Sequence, residues 1–90
     1  MYFTYVLRCI DNQNKWSFYT GFTKIIDNRV TDHISKSVET TKRFVKIELV
    51  YYEACLNETD ARRREIQLKT GFGRGYLKRR LKNYIKSLRD

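Results

Sequence analysis

The sequence predicts an α+β fold in which helices flank a three-stranded, mainly antiparallel sheet. Three observations support this class: segments that alternate with a period of two, segments with apolar residues every third or fourth position, and short polar links between them. The predicted order of elements is β-β-α-β-α-α. A chain of 90 residues has the length of one domain, which we assign to residues 1–90.

The first two predicted strands form a β-hairpin. Residues 2–10 are rich in aromatic and β-branched types, residues 16–22 alternate between two sides, and a short polar segment links them. Tyr19 has only small neighbours on its side of the second strand, which leaves its ring accessible. Tyr5 lies on the partner strand. We expect the two phenols to converge on one surface of the sheet, although strand tyrosines are most often packing residues.

A helix is predicted over residues 24–37, with Thr23 as its N-cap. Apolar residues four apart form its buried stripe: Ile26, Val30 and Ile34. Residues 37–44 hold no strong pattern and are expected to form a loop. Residues 45–53 alternate again and predict the third strand. One face of that strand consists of Val45, Ile47, Leu49 and Tyr51.

The last third of the chain predicts two helices. Asn57, followed by Asp60, resembles a capping box, so we expect a helix over about 58–70. Three glycines then predict a break between helices: Gly71, Gly73 and Gly75. A basic last helix is predicted over about 75–88, because apolar residues recur along one side and most lysines and arginines lie off it.

Positive charge is concentrated at one end of the sequence. The formal net charge is +9, and all of it falls after residue 61, where eleven lysines and arginines accompany two acids. A one-sided basic field is typical of proteins with a polyanion partner. We favour a nucleic acid over the two other interpretations, which are a merely solubilising helix face and a membrane surface.

The composition argues against several other classes. An apolar fraction of 41% does not fit a disordered chain, and no stretch resembles a signal peptide or is long enough to span a bilayer. Two cysteines, Cys9 and Cys55, are too few for a disulfide framework or a self-sufficient zinc site. We therefore expect reduced thiols in a cytoplasmic protein. Nothing in the sequence indicates the oligomeric state.

Three charged or titratable residues stand out by position. Arg29 and His33 are four apart and share one side of a predicted helix, and we expect both side chains at its rim with the sheet. Glu65 is the only acid of the basic segment before the final residue. It could pair with Arg62 or Lys69, or it could hold one divalent cation beside a bound phosphate.

Taken together, these positions resemble the GIY-YIG endonuclease family over about residues 2–82. Phe3-Thr4-Tyr5 stands where the family has Gly-Ile-Tyr, and Tyr19-Thr20-Gly21 stands where it has Tyr-Ile-Gly. Arg29 and His33 match the family's helix motif, and Glu65 matches its metal-binding glutamate. Residues 51–56 and 68–71 are similar to the small, single-domain bacterial members.

The chain departs from the family pattern at three points. Only the tyrosine of the first motif is retained. The interval from Tyr5 to Tyr19 is a few residues longer than usual, which predicts a longer hairpin loop. The segment after His33 lacks the glycine and proline expected before the third strand.

The resemblance implies a metal-dependent endonuclease that hydrolyses DNA. Glu65 would hold one Mg²⁺ or Mn²⁺ against the scissile phosphate, and Tyr5 or Tyr19 would orient or deprotonate the attacking water. Arg29 would neutralise charge on the phosphate, and His33 would position a tyrosine or relay a proton. The basic tail would bind the DNA backbone without reading its sequence, through Lys69, Arg74, Lys78, Arg79 and Lys82.

Two alternatives stay open at this point. A non-catalytic DNA- or RNA-binding module on the same fold explains the charge equally well, and a basic protein-interaction domain is the weaker third interpretation. The binding module does not explain why Glu65 lies in the basic segment, or why Arg29 and His33 share a side. The sequence does not name the DNA structure or the tyrosine that acts as base.

Overall fold

The computed structural model describes residues 1–34 and 41–89, which form one three-stranded antiparallel sheet and four helices. The strands are β1 (Tyr2–Ile10), β2 (Trp16–Thr23) and β3 (Lys46–Cys55). The helices are α1 (Ile26–Ile34), α2 (Glu58–Leu68), α3 (Gly71–Arg80) and α4 (Lys82–Ser87). The α+β class is confirmed, but the order is β-β-α-β-α-α-α because the last predicted helix is divided in two.

The central strand of the sheet is β1, in the order β2-β1-β3. Successive side chains of a strand point to opposite faces, so β1 contributes to two separate apolar clusters. On one face a cluster forms around α1 from the buried residues Tyr5, Leu7, Cys9 and Phe44. On the other face a cluster forms under α2, α3 and α4 from Val6, Leu68, Leu77 and Leu81. We call these the α1 face and the tail face.

The polar link between β1 and β2 forms the predicted turn. The Asp11 carboxylate accepts hydrogen bonds from the backbone of Gln13 and Lys15 at 2.9 and 3.0 Å. Asn14 takes the left-handed conformation, with φ 63°, which asparagine tolerates better than most residues. The turn sets the hairpin register, in which Tyr5 lies opposite Gly21.

The predicted alternation of the third strand is wrong beyond its midpoint. Leu49 pairs with Leu7, but Tyr51 pairs with Val6, so Val50 is an extra residue in a β-bulge. Before the bulge Ile47 packs on the α1 face, and after it Tyr51 packs on the tail face. A period-two pattern in the sequence carries no signal for such an insertion.

The first helix begins later than predicted. Its first backbone bond runs from Arg29 to the carbonyl of Ile25 at 3.2 Å, so Ile25, and not Thr23, occupies the N-cap position. The Thr23 hydroxyl instead accepts from the Ile25 backbone at 3.2 Å. The predicted helix end at 37, the side chain of Ile34 and the first part of the predicted loop lie outside the described residues.

The second helix has the predicted cap, but the glycines do not separate helices. Asn57 accepts a hydrogen bond from the backbone of Asp60 at 3.1 Å. The glycines belong to α3, where Gly73 is buried and a Cβ would lie 2.1 Å from the carbonyl oxygen of Leu68. Gly73 therefore allows α3 to turn back closely against the end of α2. The chain bends instead at Leu81, between α3 and α4.

Two further expectations concern thiols and membranes. Cys9 and Cys55 are free thiols, of which Cys9 is buried and Cys55 half-buried, and burial raises the pKa of the Cys9 thiol to about 11. None of the described helices has the length and apolar character needed to cross a membrane.

Candidate active site

Tyr5 is the centre of a buried polar network on the α1 face. Its side chain is fully buried, and its hydroxyl oxygen lies 2.9 Å from Nε2 of His33. Arg29 donates to the same oxygen from Nε at 3.1 Å. The ring has room because its strand neighbour is Gly21, where an added Cβ would lie 2.3 Å from the phenol. The hairpin register and α1 thus bring three predicted site residues together.

His33 is enclosed rather than placed at the rim of the sheet. It has no exposed surface, and its Nδ1 lies 2.6 Å from the hydroxyl of Thr41. Burial, reinforced by the charge of Arg29, lowers the pKa of His33 to about 4, so the imidazole is neutral at pH 7. Four-residue spacing shows which side of a helix is shared, but not how deeply that side packs.

One proton arrangement satisfies every group of this network. Because Arg29 donates to the Tyr5 oxygen, the Tyr5 hydroxyl is able to donate to Nε2 of His33. A neutral imidazole that accepts at Nε2 carries its proton on Nδ1, which then donates to Thr41. The result is a directed chain of hydrogen bonds from Tyr5 through His33 to Thr41.

Tyr19 flanks the same histidine from β2. The Tyr19 and His33 ring centroids are 5.2 Å apart, against 5.7 Å for Tyr5 and His33. The predicted convergence of the two phenols on one surface is therefore confirmed. Their environments differ, since Tyr5 is enclosed whereas Tyr19 is half-buried and lines a cavity of about 240 Å³ beside Lys69 and Arg74.

Glu65 forms one of the two ion pairs proposed for it. Its Oε2 accepts from Lys69 at 3.1 Å, whereas Arg62 pairs with Glu58 at 2.9 Å. Burial raises the pKa of Tyr5, Arg29 opposes the shift, and the nearby charges of Tyr19 and Glu65 add to it. The Glu65 carboxylate thus lies within electrostatic range of the Tyr5 network.

The donor atoms fit a single hard cation better than a soft or multinuclear centre. Within the described residues no group of three or more His, Cys, Asp or Glu side chains is placed to hold a metal. Glu65 can supply one carboxylate oxygen, and its Oε1 forms no hydrogen bond with the described part of the chain. Mg²⁺ and Mn²⁺ accept such a site because water and phosphate oxygens complete their shells, whereas a structural zinc site needs four protein ligands.

Arg64, which the sequence did not single out, fixes α2 to the sheet. Its guanidinium binds the Glu53 carboxylate through Nε and Nη2, each at 2.9 Å. Tyr51 also donates to Glu53, at 2.8 Å. A bidentate pair of this kind holds a helix in a defined orientation, and Arg64 immediately precedes Glu65.

The five predicted DNA-binding residues are all exposed: Lys69, Arg74, Lys78, Arg79 and Lys82. Three of them, Arg74, Lys78 and Lys82, line a groove of about 780 Å³ on the outside of the tail face, and Arg79 does not. Lys69 and Arg74 line the smaller cavity with Tyr19. Arg74 thus connects the groove with the smaller cavity, whereas Arg79 lines neither.

Two residues of the network were not predicted as functional. Thr41 lies in the segment interpreted as a patternless loop, and no local signal marks it. Gly21 is part of the Tyr19-Thr20-Gly21 motif and received no role of its own, although an isolated glycine within a strand is a recognised sign of close approach. Its position opposite Tyr5 was available from the hairpin register alone.

Comparison with known proteins assigns the chain to a family with a nuclease-type fold. The family model of the GIY-YIG catalytic domain matches residues 1–77. The chain belongs to the GIY-YIG family, which confirms the resemblance and implies a nucleic-acid partner.

Within that family the chain is similar to small proteins named UPF0213. It is 34% identical to one from Staphylococcus haemolyticus over 70 residues, which cover 77% of this chain and 80% of the relative. A relative from Staphylococcus epidermidis is 36% identical over the same shares of the two chains. One from Pediococcus pentosaceus is 36% identical over 76% of this chain and 68% of its own length. No solved structure gave a match.

Proposed function

We propose that this protein is a metal-dependent endonuclease that hydrolyses phosphodiester bonds of DNA. The observation that carries the proposal is the buried network in which the Tyr5 oxygen meets His33 at 2.9 Å and Arg29 at 3.1 Å. A structural tyrosine needs one hydrogen bond, whereas this one is placed between the neutral His33 and the charged Arg29. Family membership supports the nuclease-type fold on which the network lies.

The network moves the proton of the attacking water. Hydrolysis forms a bond from the water oxygen to phosphorus and breaks a phosphorus–oxygen bond, and the leaving oxygen takes a proton from solvent water. A free phenolate is rare near pH 7, and burial makes it rarer for Tyr5 by raising its pKa. Once Arg29 has moved from Tyr5 to the phosphate, Tyr5 acts as a relay: it receives the water proton as it gives its own to Nε2 of His33. In the tautomer of His33 that accepts this proton, the Nδ1–H group donates to the Thr41 hydroxyl.

Arg29 connects this network to the substrate. Its hydrogen bond to Tyr5 raises the pKa of the guanidinium further, so the side chain is always charged. It also lines an outward cavity of about 380 Å³. A phosphate in that cavity attracts Arg29 away from Tyr5, which opens the phenol oxygen to water and places the cation on developing negative charge.

Glu65 is the residue that would hold a single Mg²⁺ or Mn²⁺. When bound, such an ion supplies charge neutralisation at the phosphate and lowers the pKa of water. The exposed basic residues bind the DNA backbone without reading sequence, because phosphate contacts position a protein and base contacts specify it. We place this activity in the cytoplasm, where free thiols such as Cys9 persist.

A non-catalytic nucleic-acid-binding module is the second candidate. The ion pair between Glu65 and Lys69 favours it, because the pair gives the carboxylate a role without metal. The pair is largely exposed at Lys69, so it contributes little to stability and would yield to a divalent ion.

The deciding experiment is plasmid nicking. Supercoiled DNA is incubated with the protein and Mn²⁺ or Mg²⁺, with and without EDTA, and with two variants. Glu65→Gln is expected to lower nicking about a hundredfold. Glu58→Gln is the matched control, since Glu58 also lies on α2 and also pairs with a basic residue four positions on. DNA retention without metal-dependent nicking would leave only the binding module, and nicking by Glu65→Gln would remove the site assignment.

A further inference from the structure

The groove on the outside of the tail face has two unlike walls. One wall is the start of β2, which contributes Trp16, Ser17 and Phe18. The other wall is formed by the helices α3 and α4, with Ile85 at the apolar floor. Its basic rim consists of five residues: Arg74, Lys78, Lys82, Lys86 and Arg89. A row of cations thus runs beside an aromatic surface.

The described carboxylates do not neutralise the cations of this rim. Within the described part of the chain none of the five forms an ion pair with a carboxylate. Elsewhere several carboxylates pair with a basic residue, for example Glu48 with Arg8 and Glu53 with Arg64. A row of unpaired cations at successive turns of the helices is electrostatically complementary to a phosphate backbone.

Trp16 adds an aromatic ring to the groove, on which a base can stack. It is the only tryptophan of the chain, and 38% of its surface is exposed. It lies on β2, an edge strand of the sheet. Its ring centroid lies 5.0 Å from that of Phe18, and the Arg8 guanidinium lies 5.8 Å from it. Arg8 therefore covers one face of the ring, and the rest of the ring lines the groove.

The groove adjoins a smaller cavity that reaches Tyr19. The smaller cavity beside Tyr19 and Lys69 shares Phe18 and Arg74 with it. Trp16 and Tyr19 are three residues apart on one strand, a separation of about 10 Å, and their side chains point to opposite faces of the sheet. Because β2 is an edge strand, a polynucleotide strand in the groove reaches Tyr19 by passing round that edge within a few nucleotides.

We propose that this groove binds single-stranded DNA next to the cleaved bond, with an unpaired base stacked on Trp16. In a duplex the base faces are covered by neighbouring pairs, so a recessed tryptophan meets only sugar and phosphate. A groove with a cationic rim and an aromatic wall has the two features that single strands require. This inference rests on the proposed function, since it names the substrate class as DNA with an unpaired segment.

The single tryptophan allows a direct test without cleavage. In EDTA the protein is titrated with a thymidine oligonucleotide, and separately with the duplex of that strand and its complement. We expect the single strand to quench Trp16 fluorescence strongly and the duplex to quench it weakly. Equal quenching by both would overturn the proposal.

Affinity measurements on labelled DNA give the second readout. Trp16→Ala is expected to weaken single-strand binding roughly tenfold and to leave duplex binding unchanged. Trp16→Phe should restore most of the loss, because phenylalanine still stacks. Phe72→Ala is the matched control, since Phe72 is 53% exposed on α3 but does not line the groove. Equal losses for both DNA forms in Trp16→Ala would contradict stacking.

Failure of the groove and failure of the enzyme are distinguishable. Single-strand binding that depends on Trp16, without nicking in Mn²⁺, would support the groove and overturn the proposed nuclease. Nicking that depends on Glu65, with no preference of Trp16 for single strands, would overturn the groove and support the nuclease.

Discussion

The two faces of the sheet are built on different principles. On the α1 face, His33 is fully buried and holds Tyr5 and Thr41 through one hydrogen bond at each ring nitrogen. On the tail face, Leu68 and Leu77 are buried among apolar residues, and the polar groups lie outside as a basic surface. The structure of the α1 face depends on a few directed hydrogen bonds, and that of the tail face depends on buried apolar area.

This difference indicates which substitutions should change the cleavage rate and which should change only the free energy of unfolding. Apolar burial is non-directional and proportional to area, so damage on the tail face should cost stability and little else. A hydrogen-bonded network fails when one atom moves, so damage on the α1 face should cost activity beyond its cost in stability.

The largest expected effect on stability is on the tail face. Leu77→Ala should lower the free energy of unfolding by about 3 kcal/mol, because a leucine that is 2% exposed leaves a cavity. The measurement is urea unfolding, with the cleavage rate at saturating DNA corrected for the folded fraction. That rate should stay unchanged. Leu56→Ala is the control, since Leu56 is 84% exposed and should cost less than about 0.5 kcal/mol.

A smaller loss of stability on the α1 face should carry the larger loss of activity. Gly21→Ala places a Cβ 2.3 Å from the Tyr5 phenol, which should cost about 2 kcal/mol and displace the ring. The cleavage rate of the folded protein should fall about a hundredfold. Gly75→Ala meets only the flexible end of Arg79 at 3.3 Å and should leave the rate unchanged. A Gly21→Ala protein that cleaves normally would show that Tyr5 is packing only.

The effect of pH isolates the single histidine. Its pKa is about 4 when folded and about 6.5 when unfolded, so protons favour the unfolded chain. Stability is full above pH 6.5 and falls as the pH drops towards 4, by about 2 kcal/mol at pH 5. His33→Gln should be less stable at pH 7 but flat between pH 6.5 and 5. If the free energy of unfolding depended equally on pH in both proteins, His33 would not be a buried, neutral histidine.

Sequence patterns predicted the elements that have a regular repeat. They did not predict the features that depend on the close approach of two distant segments. Both strands of the hairpin, the Asn57 cap and the apolar side of the last helices follow from periodicity and local chemistry. The β-bulge at Val50 and the turn of α3 against α2 at Gly73 do not, because each depends on what a distant segment needs.

The site divides in the same way. The positions of Tyr5, Tyr19, Arg29 and His33 were predicted from strand pairing, helix spacing and family resemblance. Thr41 was missed because the contact joins a helix to a segment without regular structure. The depth of His33 was also missed, since a spacing of four residues does not report how closely α1 packs on the sheet.

The most direct test of the contrast between the faces measures DNA affinity and cleavage rate separately in two variants. Tyr5→Phe keeps the ring and removes the relay oxygen, and Lys78→Gln removes one cation of the groove. We predict that Tyr5→Phe lowers the rate at saturating DNA about a hundredfold with unchanged affinity in EDTA. Lys78→Gln should weaken affinity a few-fold, with a shallower salt dependence and an unchanged saturated rate. A Tyr5→Phe protein that cleaves at the wild-type rate would contradict the assignment of the chemistry to the α1 face.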